Sequence, residues 1–353
     1  MSLDKKTFIP AISLGRKRVI VIFPPRCVPL DGDAAGGTGR KERIFMAEVQ
    51  RRTLSLAGYD VPVVELTGSS DGPRLTVIAG VHGCEYAPMA AVRRWTQALA
   101  QRELRGTVRA VPVLNQPSFW ARTPFVVPED GKNLNRCFPG NPDGTLAERL
   151  AYDAFTQLIA GSDALIDAHA GDMVEALEPF ALYDAGASEG RAEQMAVAYG
   201  LGYVVRQEPG PDRAVGGTTS TAAAEIGIPA IIAESGQCGL VEAAAVDRHV
   251  RGLDRVLAVL GMADDPAPDA TPRQAPTRLQ RFLWLYSTSA GWWEPAVQPG
   301  EQVAEGQLLG TVSTLDGAQE LQAVLAPSAG IPMFITSSPA VAADGLVLGL
   351  GAV

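Results

Sequence analysis

Short apolar runs alternate with longer amphipathic stretches from about residue 74 to residue 260 of the chain. The apolar runs predict buried strands at 75–79, 108–114, 164–166 and 230–233. The stretches with helical spacing predict helices at about 88–104, 146–160 and 242–260. Strands that alternate with helices in this way indicate an α/β fold with a mixed, mostly parallel sheet flanked by helices.

Two of these helices carry recognisable start signals. Pro88 is typical of the first helical turn, where its missing N–H leaves no hydrogen bond unmade. Thr145 and Glu148 have the spacing of a capping box, in which each side chain bonds to the backbone of the other residue. The second helix is therefore expected to begin close to Leu146.

The pattern changes on both sides of this region. Residues 19–23 and 44–66 predict short strands ahead of it. Four prolines between Asp264 and Arg278 indicate a linker, and beyond it helical spacing gives way to closely spaced turns. We therefore predict three parts, an α/β domain over 1–265 with its N-terminal strands, a Pro-rich linker over 266–279 and a small β-barrel-like domain over 280–353.

Composition narrows the function classes. The 353 residues carry a formal net charge of −9, which argues against nucleic acid or an anionic membrane as a general partner. The four cysteines form no CxxC pair, so neither a disulfide framework nor a thiolate zinc site is indicated. No apolar run approaches the ~20 residues that a membrane helix needs, and the start lacks the apolar segment of a secretory signal. We expect a cytoplasmic protein.

Two of the three histidines follow predicted strands. His82 follows the first of these strands, with Glu85 three residues later, and His169 follows the third. The carboxyl ends of parallel strands meet at one edge of a sheet, where open α/β folds bind their ligands. Two imidazoles and one carboxylate are a catalytic zinc set that leaves a fourth position open. Asp167 is placed to orient the His169 imidazole from outside this set.

The neighbouring candidates have simpler interpretations. An isolated His-x-x-Glu is more often a pair of ordinary loop residues, and it is the second histidine at a matching strand end that favours a metal site. His249 is in register with Leu253 and Val256 on an apolar helix face, which predicts a structural histidine. Cys84 lies between two predicted ligands but is expected to pack, because its side chain would point away from both of them.

Glu234 follows the last of the predicted strands, at the same edge of the sheet. A carboxylate there could take a proton from zinc-bound water and deliver it to a leaving amine. A helix cap or a salt bridge would explain this residue equally well if it stood alone.

A polar, Pro-rich loop follows the second predicted strand and contains candidate substrate-binding residues. They are Asn115, Arg122, Asn135 and Arg136. Arginine presents a planar fork suited to a carboxylate, and asparagine can add donors beside it. In an acidic protein, such arginines can also merely neutralise nearby acids.

Four motifs in a fixed order carry a family resemblance. They are His82-Gly83-Cys84-Glu85, the run NLNRCFPG at 133–140, Asp167-Ala168-His169 and Glu234-Ser235-Gly236. Together they resemble the succinylglutamate desuccinylase/aspartoacylase family, a branch of the zinc carboxypeptidase-like fold. The resemblance covers about residues 74–240, and the all-β tail is similar to the C-terminal part of the family. The loop over 128–145 is similar to that of members that remove acetyl from N-acetyl-2,4-diaminobutyrate.

The resemblance implies a zinc-dependent hydrolase with one ion per chain. His82, Glu85 and His169 match the zinc ligands of the family. Glu234 matches the general base that activates the zinc-bound water and then protonates the departing amine.

The resemblance also implies roles in substrate binding. Arg122 matches the arginine that polarises the scissile carbonyl, and Asn135 and Arg136 match the pair that grips the substrate carboxylate. Asn133 is a departure, because many members have Asp at this position. We expect Asn133 to touch the substrate or to orient the arginine loop.

The tail carries a second resemblance. The segments 297–303, 306–310 and 326–330 resemble a biotinyl/lipoyl-type β-barrel, which would make the tail a carrier. A carrier needs a lysine on its hairpin, and the last lysine of the chain is Lys132, so covalent attachment in the tail is excluded. The tail is instead expected to be a lid, a dimerisation surface or a pocket wall. Its candidates for reaching the site are Tyr286, Trp292 and Trp293.

These observations predict an amidohydrolase that cleaves small N-acyl amino acids in amino-acid metabolism. We expect a small-molecule substrate, no nucleic-acid or membrane partner and a homo-oligomeric state. Two alternatives remain open, a zinc carboxypeptidase that acts on peptides and a non-catalytic, zinc-dependent small-molecule binding protein.

Overall fold

The computed structural model describes residues 46–208, 216–237, 239–264 and 275–353. The predicted strand at 19–23 and most of the Pro-rich stretch, 265–274, lie outside the described residues. The described residues belong to one compact unit, Ile44–Val353. In this part of the chain no helix is both long and apolar enough to cross a membrane.

Strands and helices alternate up to residue 279, and strands alone follow. The first ten strands are β1 (Glu48–Leu56), β2 (Tyr59–Thr67), β3 (Ser70–Ala79), β4 (Arg105–Val111), β5 (Ala164–His169), β6 (Glu175–Leu177), β7 (Phe180–Asp184), β8 (Tyr203–Gln207), β9 (Ala230–Glu234) and β10 (Thr277–Leu279). The tail contains β11 (Arg281–Tyr286), β12 (Gly291–Pro295), β13 (Leu308–Ser313), β14 (Glu320–Leu325), β15 (Gly330–Thr336), β16 (Ala340–Val341) and β17 (Leu346–Ala352). The α-helices are α1 (Tyr86–Leu99), α2 (Gln116–Ala121), α3 (Leu146–Ala154), α4 (Glu189–Tyr199), α5 (Thr219–Glu225) and α6 (Ala243–Val259).

Nine strands form one central sheet in the order β1-β2-β4-β3-β5-β9-β7-β8-β10. The pairs β3/β4, β3/β5, β5/β9, β7/β8 and β8/β10 are parallel. The pairs β1/β2, β2/β4 and β7/β9 are antiparallel. The prediction of a mixed, mostly parallel sheet flanked by helices is confirmed.

The strands that carry the predicted site are neighbours and run in the same direction. In the register of β3, β5 and β9, Ala79 pairs with Ala168, and His169 pairs with Glu234. The carboxyl ends of these three strands therefore lie at one edge of the sheet, as the strand pattern predicts. The strand predicted at 108–114 lies three residues earlier in the chain, because β4 spans Arg105–Val111.

The helices cover both faces of the sheet and bury two apolar cores. Trp95 of α1 and Leu253 of α6 belong to the core on one face, and Leu150 of α3 belongs to the core on the other. The capping box is present, since Thr145 N donates to Glu148 Oε2 over 2.7 Å and α3 begins at the next residue. A π-helical turn, Phe155–Ile159, continues this helix towards its predicted end. Helix α1 spans 86–99 where 88–104 was predicted.

The tail forms two four-stranded sheets, in the orders β11-β17-β15-β6 and β14-β13-β12-β16. Their shared core contains Trp293, Leu309 and Leu348. The three-residue strand β6 comes from the α/β part of the chain and pairs with β15 of the tail. Residues 277–279, at the end of the predicted linker, form β10 and pair with β8.

Candidate active site

Two histidines and one glutamate meet at the sheet edge. Glu85 lies between the imidazoles, with Oε1 at 2.6 Å from His82 Nδ1 and Oε2 at 2.9 Å from His169 Nδ1. One ligand atom from each of the three residues lies within 4.8 Å of the others, an arrangement that could hold a metal ion. Both Glu85 and His169 are buried, and His82 is partly exposed.

Local backbone geometry brings these side chains together. Gly80, at the end of β3, has a φ of +69°, and a Cβ there would lie 3.0 Å from the Val113 Cα. This left-handed residue turns the chain from the strand into the loop that carries His82. Glu85 occupies the N-cap position of α1, and its Oε2 also accepts a hydrogen bond from Ala170 N at 3.1 Å. His169 is the last residue of β5.

The outer nitrogen of each imidazole is held by a second polar side chain. His169 Nε2 lies 2.9 Å from Asp167 Oδ2, and His82 Nε2 lies 3.0 Å from Asn133 Oδ1. Partners of this kind fix the tautomer and the ring orientation of metal-binding histidines, here with both Nδ1 atoms turned towards the centre. Asn133, which we expected to touch the substrate or to orient the arginine loop, also accepts a hydrogen bond from Asn135 N at 2.9 Å.

Electrostatics in the metal-free triad favour ion pairs between Glu85 and the imidazoles. Burial alone would raise the pKa of Glu85, but His169 and His82 outweigh it and lower this pKa to about 2. Burial likewise opposes protonation of His169, yet Asp167 and Glu85 raise its pKa well above the usual value. A divalent cation that binds here would therefore compete with protons for the imidazoles. This donor set, two neutral imidazoles and a carboxylate with supporting partners, fits zinc.

Glu234 faces the same cavity from the end of β9. Burial raises the pKa of its carboxyl group well above the usual value, and the charge of Glu85 adds to the effect although His169 opposes it. A carboxyl group with a raised pKa binds a proton more readily and is therefore suited to transfer protons between two reactants.

Asn135 and Arg136 lie in the cavity wall beside the triad. Asn135 is buried, its Oδ1 accepts a hydrogen bond from Thr219 N at 3.1 Å, and its Nδ2 is 3.5 Å from His169 Nε2. Arg136 Nη1 donates to the Asn135 carbonyl oxygen over 2.7 Å, and burial lowers the pKa of the guanidinium. The Arg136 guanidinium carbon lies 5.8 Å from the centre of the Trp284 ring.

The other predicted loop residues lie elsewhere. Arg122 follows α2 with a φ of +55°, is exposed, and is not among the described residues that line the cavity. Its charge acts on Cys84 and Tyr86. Asn115 is buried and caps α2, because its Oδ1 accepts from Ser118 N at 3.2 Å and its Nδ2 donates to the Val81 carbonyl oxygen over 3.0 Å.

The cavity has a volume of about 460 Å³ and is lined by both the α/β part and the tail. Of the three tail candidates, Tyr286 lines it. Trp292 is 47% exposed, and Trp293 is buried in the tail core with its Nε1 donating to the Thr336 carbonyl oxygen. The tail is thus a wall of the cavity, one of the three roles that we expected for it.

Two acidic residues of the cavity wall were missed by the sequence analysis. Asp172 is buried and accepts hydrogen bonds from Phe125 N at 2.7 Å and Met173 N at 2.5 Å. Burial raises its pKa, and burial raises the pKa of Glu175 to about 7. Their position three and six residues after His169, just beyond a strand end, is a signal that could have identified them.

Five aromatic residues of the cavity were missed as well, although the sequence gives a sign of two of them. Phe282 and Trp284 stand two residues apart and two residues from Tyr286, which is the spacing of one face of a strand. The other three are Phe125, Phe180 and Phe334. Only Tyr286 of this face was singled out.

His249 and Cys84 have the surroundings of structural residues. His249 is buried, with Nδ1 at 2.8 Å from the Tyr199 hydroxyl and Nε2 at 2.9 Å from the Ser235 carbonyl oxygen. Burial lowers the pKa of this imidazole to about 4, so the ring is neutral at physiological pH. The Cys84 thiol is buried and donates to the Thr123 carbonyl oxygen at 3.1 Å.

Comparisons with known proteins identify the family of the chain. Residues 71–260 match the succinylglutamate desuccinylase/aspartoacylase catalytic domain. The chain is 30% identical over 262 residues to the N-α-acetyl-L-2,4-diaminobutyric acid deacetylase of Halomonas elongata, covering 70% of this chain and 73% of that protein.

Solved structures share the fold. The product-bound ectoine utilization protein EutE (DoeB) of Ruegeria pomeroyi superposes with a TM-score of 0.74 at 24% identity, over 90% of this chain and 98% of that one. A succinylglutamate desuccinylase/aspartoacylase of Rhodobacter sphaeroides superposes with a TM-score of 0.72 at 23% identity, over 90% and 98% of the two chains. The chain therefore belongs to the succinylglutamate desuccinylase/aspartoacylase family and is an amidohydrolase that acts on N-acyl amino acids.

Proposed function

We propose that this chain is a zinc-dependent deacetylase of small N-acetyl amino acids. The observation that carries the proposal is the meeting of the His82–Glu85–His169 triad, Glu234 and Arg136 in one cavity. The name of the Halomonas elongata relative supports acetyl as the acyl group. In this proposal the substrate is a free small molecule, and the tail closes one side of its binding site.

The triad would hold one zinc ion, with Asp167 and Asn133 fixing the two imidazoles. Such an ion, when bound, polarises the amide carbonyl and lowers the pKa of water, which supplies the electrophile and the nucleophile of the reaction. The raised pKa of Glu234 allows this residue to take a proton from the attacking water and to pass it to the departing amine. One residue thus serves as base and then as acid.

Arg136 and Asn135 would bind the carboxylate of the amino-acid half. The Arg136 guanidinium is held in place by the Asn135 carbonyl oxygen and by the Trp284 ring, so its free N–H groups are oriented before the substrate arrives. Arg122 stays the predicted donor to the developing oxyanion, a role in which removal of one donor costs about 10²–10³ in kcat in comparable sites.

The test is a Glu234→Gln variant assayed with N-acetyl amino acids after zinc loading. We expect kcat to fall by about 10²–10⁴-fold, because the proton transfer is lost, while zinc content stays at one ion per chain. Glu178→Gln is the matched control, since Glu178 is a partly buried carboxylate that is not among the described residues lining the cavity.

Wild-type turnover by zinc-loaded Glu234→Gln would refute the role of Glu234. A zinc-loaded wild-type chain that binds N-acetyl amino acids without cleaving them would refute the deacetylase proposal and support a binding protein. Cleavage of dipeptides at a higher kcat/KM than N-acetyl amino acids would support a carboxypeptidase instead.

A further inference from the structure

One strand of the tail presents a row of aromatic rings to the cavity. On β11, Phe282, Trp284 and Tyr286 line the cavity, whereas the alternate residues Leu283 and Leu285 pack against the tail core. This alternation is the period of two of a β-strand, with one apolar face towards the protein core and an aromatic face towards the substrate site. The aromatic face is therefore built into the sequence of the strand.

The neighbouring strands complete this surface. Across the tail sheet, Trp284 pairs with Gly349, and Gly349 pairs with Phe334. A Cβ on Gly349 would lie 2.3 Å from Phe334 Cε1 and 2.7 Å from Phe282 Cζ. Because position 349 has no side chain, the rings of Phe282 and Phe334 stack over it with centroids 6.0 Å apart.

The α/β part of the chain adds one more ring, that of Phe180, to this surface. Phe180 of β7 stacks on Phe282 with ring centroids 5.7 Å apart, and Trp284 lies 4.9 Å from Phe282 and 5.3 Å from Phe334, between ring centroids. We call Phe180, Phe282, Trp284 and Phe334 the aromatic wall. All four residues line the cavity.

The contacts of Arg136 show where the aromatic wall lies relative to the residues predicted to bind and cleave the substrate. Its guanidinium carbon is 5.8 Å from the centre of the Trp284 ring, and its charge also interacts with Glu234. The charge of Glu175 also acts on Arg136, and Asp172 and Glu175 interact with Glu85 as well. A carboxylate bound by Arg136 therefore has the aromatic wall beside it.

We propose that the aromatic wall binds a large apolar side chain on the amino-acid half of the substrate. The preferred substrates would be N-acyl derivatives of large apolar or aromatic amino acids. This inference rests on the proposed function and makes it more specific. The wall lies beside the guanidinium that binds the carboxylate, so the side chain on the same carbon reaches it, whereas the acyl group lies across the scissile bond.

The experiment compares N-acetyl derivatives of alanine, leucine, phenylalanine and 2,4-diaminobutyrate, with the zinc-loaded full chain. One methylene in an apolar pocket changes kcat/KM by about 10–200-fold, so we expect the phenylalanine and leucine derivatives to exceed the alanine derivative at least about tenfold. Trp284→Ala should reduce the phenylalanine-to-alanine ratio of kcat/KM about tenfold or more, mainly through KM. Trp284→Phe should keep most of the ratio.

Trp292→Ala is the matched control, because Trp292 is a tail tryptophan that is not among the described residues lining the cavity. It should leave the ratio unchanged. A wild-type chain that cleaves the alanine or diaminobutyrate derivative as fast as the phenylalanine derivative would overturn the inference and leave the proposed function standing.

Absence of cleavage with every derivative would refute the proposed function. The role of the aromatic wall would then be tested by measuring ligand binding. Calorimetry with free phenylalanine and free alanine then decides. Tighter binding of phenylalanine that Trp284→Ala abolishes would support the wall as an apolar subsite, and equal binding of the two amino acids would overturn it.

Discussion

At the scale of single residues, the site depends on side chains that hold other side chains. Asp167 holds His169, and Thr219 holds Asp167, because the Thr219 hydroxyl donates to Asp167 Oδ2. The backbone N of Thr219 also donates to Asn135 Oδ1. Thr219, at the start of α5, therefore joins the support of the metal ligand to the support of the carboxylate-binding loop.

We expect Thr219→Val to weaken zinc binding by up to about tenfold. Loss of a hydrogen-bond partner of a metal ligand lowers metal affinity by about 10–100-fold, and Thr219 contacts such a partner, Asp167, and not the ligand itself. The hydrogen bond to Asn135 is donated by the backbone N of residue 219, which valine keeps, so KM should stay close to the wild-type value. Zinc affinity can be measured by competition with a chromophoric chelator. Thr219→Ser keeps the hydroxyl and should restore zinc affinity, and equal losses of affinity in the two variants would contradict a hydrogen-bonding role.

The positions of the predicted metal ligands and of the predicted general base could be inferred from the sequence, because these residues lie at or just after the ends of buried strands. His82, Glu85, His169 and Glu234 all lie at the expected edge. Asn133 could not be interpreted in the same way, since its contact with His82 joins residues 51 positions apart in the chain. The side chain of Arg122 is exposed and is not among the described residues that line the cavity, so its role at the scissile carbonyl stays a prediction from the family resemblance.

At the scale of elements, helix α6 supports the strand that carries Glu234. His249 of α6 is bonded to the carbonyl oxygen of Ser235, the residue after Glu234. The imidazole is buried and its pKa is lowered to about 4, so the folded protein does not take up the proton that an unfolded histidine binds below about pH 6.5. The unfolded state thus binds more protons in this range, and stability falls as pH falls.

When the pH falls from 6.5 to 5, we expect the neutral His249 to lower the free energy of unfolding of the metal-free chain by about 1.5 kcal/mol. His249→Gln, which can keep a hydrogen bond to Ser235, should remove this share of the pH dependence. Urea unfolding of both proteins at the two pH values, in chelator, measures the difference. Identical pH slopes for the wild type and the variant would show that His249 is not the group responsible.

Long, strongly patterned elements were predictable and short ones were not. The apolar periodicity around Leu253 and Val256 is enough to place α6. Strands β6 and β10 have three residues each, too few for a periodicity, and they exist because they pair with β15 and β8. The end of α1 at Leu99 was misplaced by a few residues because the residues after it are also compatible with a helix.

At the scale of the whole molecule, the tail and the α/β part share strands. Strand β6 lies in the tail sheet, and β10, which precedes the first strand of the tail, lies in the central sheet. The sequence indicated two domains with a linker, a division that stays a prediction. The exchange of strands could not be foreseen, since no local pattern distinguishes a strand that pairs with its neighbours from one that pairs across the molecule.

We expect the metal-free chain to unfold in one calorimetric transition, because neither the tail sheet nor the central sheet keeps all its strands without the other. The test is the ratio of calorimetric to van't Hoff enthalpy, which should be close to one. Two resolved transitions, one of them accompanied by a change in the near-ultraviolet signal of the buried Trp293, would support independent domains and contradict this expectation.

The placement of β6 has a consequence for how substrate can enter. Glu175, its first residue, pairs with Thr336 in the tail sheet and is six residues from His169 in the chain. If the tail swung outwards as a hinged lid, it would pull Asp172 and Glu175 away from the triad or break the pairing of β6. Substrate and product should therefore enter and leave through a fixed opening. The rate of entry should depend on how well the molecule fits that opening and should not be limited by a domain motion.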